Sequence, residues 1–262
     1  GMAIAISMGG LGAIFWMMIF GIFALLLKYS EVVLAIKHRE KNMFGDFVGG
    51  PAYYLKKTAI PILGAAYALT HAIQCLPSIG TQSMSVVQSA ETINIPAVVT
   101  GFVIFGIMFI TVIGGVKRIA NVMDVIVPFM AVAYFVLSWI IILYNYKNIP
   151  VVFVKMIEGA FSAPAAFGGL AGGGVAMTSI VILFVLSTVI VEALMGQREV
   201  EYLFGSKVGN LARYLYVIAV LIGVYLPLDH IVSLLDLSMA FLVVLNMFAL
   251  ITMVKDVVSE TD

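Results

Sequence analysis

The chain has 262 residues, of which 63% are hydrophobic and only 11% are charged. Soluble domains carry roughly a quarter charged residues, so this composition excludes a water-soluble globule and predicts an all-α integral membrane protein. The formal net charge is zero, which argues against a nucleic-acid partner because such proteins need a basic face.

Seven stretches are apolar enough to be transmembrane helices, each close to the roughly 20 residues that a bilayer core requires. The predicted spans lie near residues 10–37, 62–90, 96–115, 124–144, 178–196, 211–227 and 230–254. Residues 1–8 are interpreted as the end of a broken helix, and the glycine-rich segment 145–177 as loop or irregular backbone. The whole chain, 1–262, is predicted to be a single transmembrane domain.

The distribution of basic residues predicts the orientation of these spans. Alternate threading puts twelve Lys and Arg residues on one side and only Lys147 and Lys155 on the other. Because cytoplasmic loops are enriched in Lys and Arg, the rich side is predicted to be cytoplasmic, and with it the C-terminus. The lipid bilayer in question is therefore expected to be the cell (cytoplasmic) membrane, crossed several times.

Two local patterns concern the segment before and within the second span. Gly49-Gly50-Pro51 predicts a helix break, and the pair Tyr53-Tyr54 fits an aromatic belt at the membrane interface. Residues 58–90 contain no charged side chain, but Pro77 and Gly80 are expected to interrupt their helix. Its polar side chains predict that one face looks into the helix bundle or a cavity.

No arrangement of residues indicates an enzyme. HExxH, GxSxG, P-loop and CxxC motifs are absent, and His38, His71 and His230 lie in different segments. Cys75 is the single cysteine, and its neighbours show no metal-ligand spacing, so a role as a small apolar packing residue is predicted.

Polar side chains inside membrane spans are costly and therefore mark candidate sites. Gln82, Ser83 and Ser85 could hydrogen-bond a small polar substrate, or they could hydrogen-bond neighbouring helices. The hydroxyls of Ser187 and Thr188 suit a hard cation such as sodium. Alternatively, they bond the carbonyl four residues earlier in their own helix.

Glu192 lies one turn beyond this hydroxyl pair. It could hold an ion, or it could reach Arg198 at the cytoplasmic interface, and the interface is the preferred interpretation.

Several longer motifs together resemble one family, the alanine or glycine:cation (sodium:alanine) symporters. In the family's order these are GGLGAIFWMM…LLLKYSEVVLAIKHRE at 9–40, VGGPAYYL at 48–55, QSMS at 82–85, IPAVVTG…GGVKRIANVMDVIVPFMA at 95–131, EYLFG at 201–205 and Asp229…Asp236…Asn246.

The resemblance implies part of the five-plus-five inverted-repeat (leucine-transporter-type) fold, and uptake of a small neutral amino acid, alanine or glycine, with sodium as the coupling ion and no other cofactor. Gln82 matches the family glutamine at the substrate carboxylate, with Ser83 and Ser85 beside it. Ser187 and Thr188 match the Ser/Thr pair of the family's eighth helix, which is expected beside the sodium ion.

The chain also departs from the family pattern. The glycine-rich break of the family's first helix has no match, and after residues 168–177 the chain passes directly to what resembles the eighth helix. We therefore expect an incomplete or shortened homologue that lacks part of the first helix and the sixth and seventh helices. The alternative is a non-transporting membrane protein with a structural, assembly or channel role.

Overall fold

The computed structural model describes residues 6, 9–161, 178–225 and 228–261, and 86% of it is helical. Its helices are α1 Gly12–Lys37, α2 Pro51–Leu55, α3 Ile62–Glu91, α4 Ala97–Ile113, α5 Gly115–Tyr144, α6 Ile149–Ala160, α7 Thr178–Phe204, α8 Ser206–Tyr225, α9 Leu228–Thr252 and α10 Val254–Thr261. The two-residue strands β1 Glu40–Lys41 and β2 Phe47–Val48 form a short hairpin between α1 and α2. The predicted all-helical character is confirmed.

Among the described residues, four helical segments are long and apolar enough to cross a membrane: Gly12–Lys37, Ile62–Glu91, Lys117–Tyr144 and Leu234–Thr252. Helix α4 is apolar but shorter. Large apolar side chains on these helices are exposed, such as Leu25 at 72% and Val125 at 71%. An apolar surface of this extent would be costly in water but suits contact with lipid.

Helix α3 is one continuous helix of 30 residues, so the predicted interruption at Pro77 and Gly80 is wrong. Proline removes one helical hydrogen bond, which usually kinks or ends a helix. In a helix bundle, packing by neighbouring helices compensates for this loss. Helix α3 packs against α2, α4, α8 and α9, and Gly80 is buried within it.

The structure differs from the sequence analysis in part of the segment 145–177. Helix α6 follows a single 3-10 turn, Tyr146–Asn148, in a stretch that the sequence analysis interpreted as irregular. Proline in its first turn favours a helix start, since that position needs no backbone N–H. The glycine-rich remainder, 162–177, lies outside the described residues, as do most of residues 1–8.

The chain divides into two compact units, one drawn from residues 1–28 and 128–181 and the other from 29–127 and 182–262. In the first unit, the indole Nε1 of Trp16 donates a hydrogen bond to the carbonyl of Ala160. Gly12 approaches Gly159 so closely that a Cβ at Gly12 would lie 2.2 Å from the Gly159 carbonyl carbon. The small residues therefore allow close backbone contact between α1 and α6.

The second unit has a hydrophobic core in which Tyr53 and Tyr54 are buried, at 7% and 0% exposure. The prediction that these tyrosines form an interfacial belt is therefore wrong. The core joins the end of α1, the hairpin, α2, the start of α3, α9 and α10. Its buried members are Leu34, Val48, Ala52, Tyr53, Tyr54, Leu55, Tyr67, Ala68, Leu242, Leu245, Ala249, Leu250, Met253 and Val257.

Close packing between α2 and α3 predicts a large effect of one small substitution. A Cβ at Gly64 would lie 2.5 Å from the Ala52 carbonyl oxygen and 3.0 Å from the Lys56 amide nitrogen, which are backbone atoms. Because a backbone cannot rotate aside, Gly64→Ala is expected to lower the free energy of unfolding by about 1–3 kcal/mol. Thermal or denaturant unfolding of the purified protein in detergent measures this change.

Gly106 provides the matched control. It also lies inside a helix, α4, but a Cβ there would meet no atom within 4 Å. Gly106→Ala is expected to leave stability unchanged or to raise it by up to about 1 kcal/mol, because alanine favours helices over glycine. Equal losses in both variants would contradict the packing argument.

Candidate functional site

The predicted substrate residues lie on helix α3. Gln82 is partly buried, Ser83 is fully buried and Ser85 is exposed. The Ser83 hydroxyl donates to the Ile79 carbonyl at 2.8 Å, and the Ser85 hydroxyl donates to the Thr81 carbonyl at 3.0 Å. Both serines thus make the local hydrogen bond to the preceding turn. Their role in substrate binding, and that of Gln82, stays a prediction.

The predicted sodium residues lie on helix α7. Ser187 is buried and Thr188 is partly buried, and both hydroxyls donate to the Phe184 carbonyl at 2.8 Å. For Thr188 this is the local alternative that the sequence left open, a bond four residues back, whereas Ser187 bonds a carbonyl three residues back. A hydroxyl that donates its proton keeps its oxygen lone pairs, so this geometry remains compatible with a cation ligand.

Three pairs of residues define how α3 and α7 lie against each other. They are Gly64 with Tyr202, His71 with Glu199, and Cys75 with Glu192. Along this series the residue numbers rise on α3 while they fall on α7. The two helices are therefore antiparallel, and their side chains meet at these three levels.

This register relates the two predicted sets of site residues. Gln82 lies seven residues beyond Cys75, which is two turns and about 10 Å along α3 on the same face. Thr188 lies four residues before Glu192, which is one turn and about 6 Å in the same direction. With ideal helix geometry, this register would place Gln82 and Thr188 on facing sides of α3 and α7, about one helical turn apart in level.

The structure also brings together His71, Cys75 and Glu192, which the sequence analysis did not connect. One ligand atom of each residue lies within 4.8 Å of the other two. The preferred interpretation of Glu192, a contact with Arg198, is wrong, because Arg198 pairs with Glu201 instead. His71 and Cys75 are four residues apart, one helical turn, so the interpretation that Cys75 has no neighbour at metal-ligand spacing overlooked this pair.

A second polar centre forms around Glu201, which is 7% exposed and lies beyond the predicted span 178–196. Its carboxylate accepts hydrogen bonds from Asn42 Nδ2 at 2.9 Å, from the Ser206 hydroxyl at 2.5 Å and from Arg198 Nη1 at 2.5 Å. Burial by itself raises the pKa of Glu201, but these three hydrogen bonds and the charge of Arg198 outweigh it and lower the pKa.

Asn42 is suited to its part in this centre because it also shapes the hairpin. Its side-chain oxygen accepts from the amides of Phe44 at 3.0 Å and Asp46 at 2.9 Å, as asparagine often does in turns. Gly45 completes the turn with φ +82°. The side-chain amide of Asn42 therefore remains available to bond Glu201, so the centre ties the hairpin to α7.

A third polar contact crosses the core of the second unit. The Tyr54 hydroxyl donates to Asn246 Oδ1, and Asn246 Nδ2 donates to Glu31 Oε1, both at 2.5 Å. Asn246 belongs to the last motif of the resemblance noted above, and it connects α2, α9 and α1. Its amide can both donate and accept, which satisfies a hydroxyl and a carboxylate at once.

Comparison with known proteins supports a single family. The family model described as the sodium:alanine symporter family matches residues 1–178 and 173–262. The uncharacterized transporter YflA of Bacillus subtilis is 28% identical over 98% of this chain and 75% of its own length. The sodium/alanine symporter AgcS of Methanococcus maripaludis is 38% identical over 66% of this chain and 40% of its own length. A sodium/proton-dependent alanine carrier protein of Bacillus sp. strain PS3 is 34% identical over 67% of this chain and 40% of its own length.

These comparisons confirm that the chain is shorter than its relatives. The alignment with YflA extends over 352 positions, so at least 90 of them have no counterpart in a chain of 262 residues. The two matches to the family model overlap at residues 173–178, next to the point where the sequence departs from the family pattern. Since the two matches together cover the chain from end to end, the protein belongs to the sodium:alanine symporter family.

Proposed function

We propose that this chain takes part in sodium-coupled symport of a small neutral amino acid, alanine or glycine, across the cytoplasmic membrane. The observation that carries the proposal is membership of the sodium:alanine symporter family over the full length of the chain. The apolar exposed surface of the helices supports a multi-pass membrane protein. Because its relatives are transporters, an enzymatic activity is not proposed.

We assign the substrate carboxylate to Gln82, with Ser83 and Ser85 beside it on α3. A neutral amide donates hydrogen bonds to a carboxylate without the cost of burying a second charge in an apolar environment. Gln82 is partly buried on the side of α3 that carries Cys75, which contacts α7. This position supports an inward-facing role rather than contact with lipid.

We assign the sodium ion to the hydroxyl oxygens of Ser187 and Thr188 on α7. Their level along α7 lies about one turn from that of Gln82 on α3, as derived from the antiparallel register of the two helices. Ion and substrate bound at neighbouring levels of one helix pair would each favour binding of the other, which is the coupling that symport requires. The remaining walls of the site would come from the other elements of the proposed five-plus-five fold.

The proposed orientation puts the hairpin between α1 and α2 and the C-terminal helix α10 on the cytoplasmic side. The support is the distribution of basic residues, twelve against two, under the positive-inside rule. The Glu201 centre would then lie at the cytoplasmic end of the bundle.

The proposed role of Gln82 predicts a specific loss in alanine binding. A hydrogen bond to a charged group contributes about 1.5–3 kcal/mol, so Gln82→Leu is expected to weaken alanine affinity by about 10- to 100-fold. Sodium binding without alanine should change little, because the ion is assigned to α7. Proteoliposomes with an imposed sodium gradient measure alanine uptake, and titration of the purified protein measures the two affinities.

Gln88→Leu is the matched control, since Gln88 lies on the same helix but is exposed. It should leave alanine affinity unchanged. Alanine affinity that is equally unchanged in Gln82→Leu would return Gln82 to a role in hydrogen bonding between helices. If wild-type proteoliposomes show no uptake of alanine or glycine under a sodium gradient, transport by this chain is contradicted.

A further inference from the structure

His71, Cys75 and Glu192 form a compact set of potential metal ligands between α3 and α7. His71 and Cys75 are one turn apart on α3, and Glu192 reaches them from α7. Cys75 is fully buried. The three ligand atoms lie within 4.8 Å of one another, whereas a tetrahedral zinc ion would hold such atoms about 3.5 Å apart. Small side-chain rotations would therefore close the set around an ion.

Glu199 orients the histidine of this cluster. Its Oε1 lies 3.0 Å from His71 Nδ1, and both side chains are largely buried, at 14% and 10% exposure. A carboxylate that binds one ring nitrogen fixes the tautomer and raises the basicity of the other nitrogen, which is a common arrangement behind metal-bound histidines. Nε2 of His71 is thus prepared to act as a ligand.

Glu192 itself is incompletely satisfied. Among the described residues its Oε2 has no hydrogen-bond partner, although the atom is buried. Buried carboxylate oxygens normally have hydrogen-bond partners, because desolvation without compensation is costly. Apart from the neighbouring Cys75 thiol, this oxygen has no donor beside it in the described part of the chain, so it is available to bind a cation.

We propose that His71, Cys75 and Glu192 form a binding site for a transition-metal ion of the zinc class, which links α3 to α7. The site is separate from the proposed sodium site at Ser187 and Thr188, and the proposal does not depend on transport. Imidazole, thiolate and carboxylate are the three ligand types that zinc prefers, and three protein ligands leave a fourth position for water. Sodium, magnesium and calcium prefer oxygen ligands, so the thiol selects against them.

Binding of a divalent ion at this site is balanced both in charge and in protons. The ion displaces the thiol proton of Cys75, which is released to solvent, and the thiolate and the Glu192 carboxylate together neutralise a divalent cation. Affinity should therefore increase with pH until the ligands are deprotonated.

Cobalt(II) is a suitable probe for the purified full chain in detergent, because a cobalt–thiolate bond gives a charge-transfer absorption band in the near ultraviolet. Cys75 is the single cysteine of the chain, so this band reports one site. We expect the wild type to show the band, zinc to abolish it by competition, and magnesium to have no effect. Cys75→Ser should abolish the band.

Two further variants separate metal ligation from a structural polar cluster. Glu199→Gln should retain the band but weaken cobalt affinity by about 10- to 100-fold, as is typical for a residue that orients a ligand. Glu192→Gln should weaken it at least as much. His38→Gln is the control for adventitious binding, because His38 lies near Asp256 rather than in the cluster, and it should bind like the wild type.

Two results would overturn the proposal. The first is the absence of a cobalt–thiolate band in the wild type, which does not depend on the folding of any variant. The second is an equal cobalt affinity, measured by titration of the band, in the wild type and in Glu192→Gln. Cys75 would then bind cobalt without Glu192 as a ligand.

Discussion

Glu201→Ala is expected to lower the free energy of unfolding by about 3 kcal/mol, because the carboxylate is the common acceptor for three side chains. Removing it leaves the Ser206 hydroxyl, which is buried, without its acceptor. It also frees the hairpin from α7, since Asn42 makes the connecting hydrogen bond. Arg198 contributes less to the loss, because its side chain is 22% exposed and water can replace its partner.

The pH dependence of the wild type provides an independent check. The folded-state pKa of Glu201 is below its ordinary value, so its stabilising contribution is present above the unfolded pKa and is lost as the pH falls through the folded pKa. The difference in unfolding free energy between wild type and Glu201→Ala should therefore be largest near neutral pH and shrink in acid. Chemical unfolding in detergent at several pH values measures it.

Glu260→Ala is the matched control for this carboxylate. Glu260 pairs with Lys37 at 3.2 Å, but its side chain is 51% exposed. Exposed ion pairs contribute at most about 1 kcal/mol, so this variant should remain close to the wild type. A loss as large as that of Glu201→Ala, or a Glu201 effect that does not depend on pH, would contradict the assigned role.

Asn246→Leu is expected to lower the free energy of unfolding by about 2–3 kcal/mol. Leucine is similar in size, but it can neither accept from Tyr54 nor donate to Glu31. The hydrogen bond to the carboxylate accounts for most of the loss, since bonds to charged groups are stronger than neutral ones. The Tyr54 hydroxyl adds to it, because Tyr54 is fully buried and cannot turn to water.

A double-mutant cycle with Tyr54→Phe tests this network. If the two residues act together, Tyr54→Phe should cost less in the Asn246→Leu background than in the wild type, with a coupling energy of about 0.5–3 kcal/mol. Asn145→Leu serves as the control, because Asn145 is exposed and its side-chain amide donates to the Ile141 carbonyl of the preceding helix. Strictly additive losses in the cycle would show that Tyr54 and Asn246 contribute independently.

The sequence by itself predicted the helical character of the chain and the approximate position of its long helices. Helices α1, α3, α4 and α9 coincide with predicted spans to within a few residues. The physical reason is that a backbone in lipid must satisfy its own hydrogen bonds, so a long uncharged stretch has essentially one solution, a helix. This choice is local, and it needs no knowledge of any partner. Motifs in sequence order likewise indicated the family.

The sequence failed where a local preference was overridden by packing. Pro77 is a helix breaker in isolation, yet α3 continues through it, and residues 78–80 directly after it are buried in the bundle. Tyr53 and Tyr54 are amphipathic and suit an interface, yet they are buried in a core that they share with residues of α9 and α10. In each case the residue type allowed two outcomes, and surroundings absent from the local sequence selected one.

Only the tertiary structure decided which polar side chains meet. Glu192 could reach Arg198 along its own helix, but Arg198 bonds Glu201, and Glu192 lies beside Cys75, which is 117 residues away in the chain. Asn42 and Glu201, or Asn246 and Glu31, are separated even further. Such pairings depend on the register between helices, which the periodicity of one helix cannot specify. They form because a buried donor or acceptor is costly until the packing of the whole bundle supplies its partner.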